Sequence, residues 1–254
     1  MSERQTLWVE EMCRRLAPIE RETLEKLGEE KGGFFIQVAD DWLKIHSAVM
    51  DAYPGEKGHN LVLHTFRGLF KEVRWFQLFF VSGNYPLLLS RLRFVWESVF
   101  RAYFAENYPL GSHQPWPAPG PSPDDKLAWL EERERGRGLN WDGCLEPVLR
   151  SVFPLADREE EVRKFYNALL KELHKFVHPS AYQAGKMIGD SALHVTDNFD
   201  EKWALEAVEI ASRVFDLVWL AILRHHPAAF ERVERLCRDY PILKFVFEDE
   251  NKSE

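Results

Sequence analysis

Apolar residues recur along this chain every three or four positions, and the two-residue alternation of a half-buried strand is nearly absent. The clearest run covers 60–82. Val62, Phe66, Leu69, Val73, Phe76 and Phe80 are spaced by alternating steps of four and three, the seam of one amphipathic helix. Only Gly83-Asn84 separates it from a second run over 85–107, so the two are predicted to fold back as an antiparallel hairpin. Upstream, a charged helix is expected over 4–28, stopped by Gly28 and then Gly32-Gly33. Another is expected over 35–52, closed by Tyr53-Pro54-Gly55.

The pattern stops at 109–123, where Pro109, Pro115, Pro117, Pro119, Pro121 and Pro123 exclude a helix interior. It restarts at once. Ser122 suits an N-cap, Pro123 the first helical position, and Asp124-Asp125 the positive end of the helix dipole. Shorter helices follow over 124–135 and 143–152. Asp157 with Glu160 resembles a capping box opening a helix that runs to His178. Asn198 with Glu201 opens the last long helix, which is apolar on all sides over 215–223 and so belongs at the centre of the fold. The predicted class is all-α, a helical bundle of about eight or nine helices with a central antiparallel hairpin. One all-α domain is expected over 1–254, with an N-terminal helical extension at 1–58, a core bundle at 60–226, a proline-rich loop at 109–123 and a frayed acidic tail at 248–254.

Composition changes this picture in two respects. Nine Trp and 18 Phe in 254 residues supply enough ring surface for a large core. A formal net charge of −8 argues against a protein that coats a phosphate backbone over its whole surface, but leaves room for a local basic groove. Cys13, Cys144 and Cys237 are isolated and odd in number, which fits neither a disulfide framework nor a zinc-finger spacing and does fit a reducing cytoplasm. The opening Met-Ser-Glu-Arg-Gln carries charge where a signal peptide needs an apolar run, and the apolar stretch 217–223 is far short of the ~20 residues of a membrane span. A cytoplasmic chain without membrane contact is expected.

The common catalytic signatures are missing: no P-loop, GxGxxG, GxSxG or HExxH. What remains is a polar stripe on the 157–178 helix. Lys164, Asn167, Lys171, His174 and His178 recur on one side, while Val162, Phe165, Tyr166, Leu169, Leu173 and Phe176 take the other. One reading is a solvated face with His178 as a C-cap before Pro179. The other makes His178 a general acid or base on a phosphodiester, with a lysine steadying the anion. His174 and His178 supply only two of the three or four ligands zinc needs, and Asp190 or His194 would have to return from the following loop; no metal and no cofactor is expected. On the 85–107 helix a narrow polar row runs through Ser90, Arg93, Glu97 and Arg101, with both charge pairs at i, i+4 spacing. This row either fixes how helices register or faces the histidine stripe and completes a site. Residues 61–104 carry a net +4, with Arg67, Lys71 and Arg74 on one face. Interleaved Trp75 and Phe79 suit a single-stranded nucleic acid, or else belong to the core.

The segments LLLSRLRFVWESVFRAYF and FYNALLKELHKFVHPS resemble the paired helices of HEPN-like bacterial proteins. The resemblance covers those two helices and the bundle around them, roughly 60–226. It implies an all-α bundle that forms a homodimer. Active members cut RNA without metal, using an arginine, a polar neighbour and a histidine four to six positions later. Many act in defence or toxin–antitoxin systems, and others are inactive binding modules. His178 matches the family histidine. The arginine positions hold Lys171, Glu172 and Leu173 instead. Lysine lacks the planar fork of arginine, and Glu172 repels a phosphate. Carried onto this chain, the resemblance implies His178, His174 and Lys171 as the catalytic group, with Asn167, Arg93 and Arg101 contacting the anion and Glu97 orienting them. The alternative is a non-catalytic helical module that binds a protein partner or itself, in keeping with the acidic net charge, the proline-rich segment and the surplus of aromatics.

Overall fold

The computed structural model describes residues 3–53, 60–107, 116, 120–135, 147–149, 151–152, 159–175, 200–237 and 240–244. Nine α-helices have described bounds: α1 Glu3–Gly32, α2 Phe34–Ala52, α3 Leu61–Val73, α4 Phe76–Val81, α5 Tyr85–Asn107, α6 Pro123–Arg135, α7 Glu159–His174, α8 Glu201–His225 and α9 Phe230–Cys237. A 3-10 turn, Pro227–Ala229, joins the last two. No strand occurs among the described residues, and none of the helices there is long and apolar enough to cross a membrane. His178, the Asp157 capping box, the proline run other than Pro121 and Pro123, and the tail 248–254 lie outside the described residues.

The all-α bundle is built around α5 and α8, which pack together more extensively than any other pair, with α3 against the next flank of α5. The stretch of α8 from Val214 to Leu223, apolar but for Asp216, explains its position: every residue of it is buried. Its rings interlock with those of α2 and α3. Trp42 stacks on Phe66 at 4.2 Å and meets Trp219 edge-on at 5.3 Å, while Phe215 stacks on Trp219 at 5.6 Å. Offset and edge-on pairs place the positive rim of one ring on the negative face of another, which adds to the gain from burial. One continuous core runs from Phe35 of α2 to Leu243 beyond α9, so α2, within the predicted 1–58 extension, supplies Phe35, Val38, Trp42, Ile45 and Val49 to it.

The predicted 60–82 helix is two helices. All six seam residues are buried, but the chain turns at Arg74 and Trp75, where the Trp75 N–H donates to Glu72 O at 3.0 Å, one residue short of the α-helical step. The turn re-aims Phe76 at Phe35 and Phe215, both at 6.1 Å, and leaves Trp75 at the surface. A step of three from Val73 to Phe76 fits a continuous helix and a broken one equally. The predicted stop at Gly28 is a kink within α1: its φ of 75° lies in the left-handed region that glycine tolerates, and helical structure resumes to Gly32.

Helix starts follow the expected cap chemistry. Ser122 and Asp125 bond reciprocally at the head of α6, where Asp125 N donates to Ser122 Oγ at 3.2 Å and Ser122 Oγ to Asp125 Oδ2 at 2.7 Å. Asn60 accepts from Leu63 N at 2.9 Å to cap α3. The cap of α8 is Asp200, two positions beyond the predicted Asn198; its Oδ1 accepts from Trp203 N at 2.9 Å.

Two buried carboxylates fasten the C-terminal turn to the bundle. Asp216 of α8 accepts from Ile242 N at 2.7 Å and Leu243 N at 2.8 Å. Asp41 of α2 accepts from the Tyr240 hydroxyl at 3.0 Å and also from Gln37 Nε2 and Lys44 Nζ.

Candidate functional site

Helix α7 lies across α5 and α8. Its apolar residues Tyr166, Leu169 and Leu173 are buried, and Tyr166 lodges between Trp96 at 4.5 Å and Phe100 at 5.9 Å on α5. On the α8 side, the Arg213 guanidinium lies 6.0 Å from the Phe165 ring. This seating fixes the rotation of α7, so that Lys164, Asn167, Lys171 and His174 are all exposed.

At the edge of the seam the two predicted polar rows meet. Arg93 Nε donates to Glu97 Oε1 at 2.5 Å, the i, i+4 pair read from the sequence. Arg93 Nη1 reaches across to His174 Nδ1, in the last turn of α7. The Arg93 and Glu97 side chains are 13% and 20% exposed, so the pair sits at the rim of the bundle, shielded but within reach of solvent. Beneath it, Tyr166 is enclosed; burial first, and the Glu97 charge second, hold its phenol well above the ordinary tyrosine range, so it stays protonated.

The chemistry of this group follows from its donors. A guanidinium only donates, so His174 Nδ1 must accept. The imidazole that does so is neutral and carries its proton on Nε2. That N–H lies on the ring edge turned away from the Arg93 cation, which Glu97 fixes. The Nδ1 lone pair, the one that could take a proton, is already engaged.

The predicted site residues thus divide. Arg93, Glu97 and His174 come together. Lys171 and Asn167 are exposed on α7, and neither is bonded to that group. Arg101, two turns along α5, is half-buried with its Nε enclosed. His178 falls outside the described residues. Of the two aromatics in the basic segment, Trp75 is 47% exposed with the Arg74 guanidinium 5.4 Å from its ring, whereas Phe79 packs against the core.

A second polar cluster, at the C-terminal end of α5, was not legible in the sequence. Asn60 Nδ2 donates to His225 Nε2 at 2.9 Å, and Asn107 Nδ2 lies 3.3 Å from His225 Nδ1. Glu106 accepts from Leu61 N at 2.8 Å and from the buried Lys126 ammonium at 2.6 Å. Burial, then the neighbouring His226, then Lys126, push the His225 pKa down to about 3; burial alone lowers His226 to about 4. Both rings are neutral at physiological pH. With its Nε2 already accepting from Asn60, the His225 ring serves as a joint between the ends of α3, α5 and α8. Asn60 is recognisable locally as a cap, but no short-range pattern links it to a histidine 165 positions away.

Among the described residues no group of three or more His, Cys, Asp or Glu side chains is arranged to hold a metal ion. An open groove of about 990 Å³ lies between α2 and α9, lined by Leu43, Lys44, Asp51, Arg232, Val233 and Leu236 among others, and shares no residue with the Arg93 group. No family model, curated protein or solved structure matches this chain.

Proposed function

We propose that this chain is a HEPN-like RNA-binding protein whose phosphate contact is the Arg93–His174 pair at the α5–α7 seam. The observation that carries the reading is the contact of Arg93 with His174 Nδ1. It sets a fixed guanidinium against a neutral imidazole at a solvent-accessible edge, and Arg93 belongs to a segment, 61–104, that carries a net +4 in an acidic chain. In this reading the arginine partner comes from α5 and pairs with His174. Guanidinium and imidazole N–H groups are both donors that phosphate oxygens accept.

This arrangement favours holding RNA over cutting it. Abstracting a 2′-hydroxyl proton requires a free imidazole lone pair, and that of His174 is occupied. Glu97 competes with phosphate for the same guanidinium, which keeps affinity modest.

Binding of a fluorescently labelled RNA oligonucleotide, followed by anisotropy without metal, tests the reading. His174→Ala is expected to weaken binding about tenfold, the worth of one hydrogen bond to a charged group. Glu97→Gln removes the competing charge and is expected to strengthen binding about threefold or more. Affinities unchanged in both variants, or retention of a protein partner in place of RNA, overturn the reading. Metal-independent release of cyclic-phosphate-terminated fragments, lost in His174→Ala, shows instead that the site is catalytic.

A further inference from the structure

The outer face of α5 holds a large ring that the core does not use. Phe94 is 47% exposed, although α5 otherwise buries its aromatic residues Tyr85, Trp96, Phe100, Tyr103 and Phe104. It follows Arg93 directly, so the two side chains stand about 100° apart round the helix. One turn back on the same face stands Arg91, 44% exposed and 3.7 Å from Glu72. Ser90 and Ser98, each four residues from Phe94, are small, and Glu97, three residues on, is bonded to Arg93.

An exposed ring with Arg91 one turn back and Arg93 beside it in sequence matches a base with its phosphate. The π-face takes any nucleobase by stacking, and the cations take the backbone on either side. A ring standing out from a convex helix cannot reach the face of a base inside a duplex, since those faces are covered by neighbouring pairs. Resting on the RNA-binding reading above, we propose that Phe94 is the base-stacking residue of this site and confines it to unpaired RNA.

The test compares full-length wild-type protein, Phe94→Ala and Phe94→Trp by anisotropy. The probes are a labelled oligouridylate of about 12 nucleotides and the same strand annealed to oligoadenylate. Wild-type protein is expected to bind the single strand at least about tenfold more tightly than the duplex. Phe94→Ala is expected to lose about tenfold on the single strand and to leave duplex binding unchanged, while Phe94→Trp retains single-strand affinity. Because Phe94 is exposed, circular dichroism and melting temperature should not change, which separates lost stacking from lost folding. The proposal is overturned if Phe94→Ala binds the single strand like wild type, if it loses equally on single strand and duplex, or if the wild-type protein binds no single-stranded RNA. The His174→Ala and Glu97→Gln arms distinguish the two proposals. Loss in Phe94→Ala with no change in those variants upholds stacking and removes the phosphate contact from Arg93 and His174; the reverse pattern upholds that contact and removes Phe94.

Discussion

Urea unfolding is expected to show the protein losing about 3 kcal/mol of stability between pH 6.5 and pH 4 through three buried groups. His225 and His226 are held neutral in the folded chain, with pKa values of about 3 and about 4 against 6.5 when unfolded. Below pH 6.5 the unfolded chain takes up protons that the folded chain refuses, so stability falls as pH falls. At roughly 1.4 kcal/mol per pH unit for each ring, the pair withdraws on the order of 6 kcal/mol by pH 4. Asp216 acts in the opposite direction. Burial raises its carboxyl from 3.8 to about 6 against the lowering effect of its two backbone hydrogen bonds. The folded state therefore gains the proton first, returning on the order of 3 kcal/mol as pH drops through that window. Removing one imidazole with His225→Gln should leave the curve nearly flat between pH 6 and pH 4, whatever the variant costs at neutral pH. A pH slope identical to wild type would show that the His225 joint is not neutral in the folded protein.

Asp216→Ala is expected to destabilise the protein by about 2–4 kcal/mol at pH 7 and to release the C-terminal turn. The carboxylate answers two backbone N–H groups with separate oxygens, at 2.7 and 2.8 Å, and Leu243 is fully buried. Alanine leaves both donors without an acceptor, at about 1–3 kcal/mol for each buried group, partly offset because a costly buried charge disappears as well. Hydrogen exchange locates the effect. The amides of Ile242 and Leu243 should lose protection while those in the middle of α8 keep theirs relative to global unfolding. Unchanged protection at 242 and 243 would mean that apolar contacts alone hold the turn.

The parts of this fold legible in the sequence are those set by neighbours within a few positions. The seam from Val62 to Phe80 identified the core side of α3 and α4, the apolar run of α8 placed it at the centre, and Ser122-Pro123-Asp124-Asp125 marked the start of α6. The Arg93–Glu97 pair was readable for the same reason, being one helical turn apart. What the pattern cannot carry is rotation and distance. Whether Val73 to Phe76 crosses a turn depends on where Phe35 and Phe215 wait, and both lie on other helices. The partner of Arg93 is 81 positions away, and it became His174 because Tyr166 fits between Trp96 and Phe100. Phe94 reads as one more apolar residue on an apolar helix, and only the packing of α7 and α8 shows that it is left outside. Asp216, a charge in the most apolar stretch of the chain, was passed over although a carboxylate there must find donors.

The pairing of α5 with α8 also governs how the chain is made. About ninety residues separate Asn107 from Glu201, so at ordinary translation rates of about 5–20 residues per second α5 leaves the ribosome some 5–20 s before its principal partner exists. During that interval Trp96, Val99, Phe100 and Tyr103 have only helices made before α8, among them α3 and later α7, to cover them. Closing so long a loop carries an entropy cost that nearby helices do not share, so docking of α8 is the late step of assembly. Substitutions that slow the arrival of α8 would lower the yield of protein in the cell well before they lowered the stability of the molecules that finish folding.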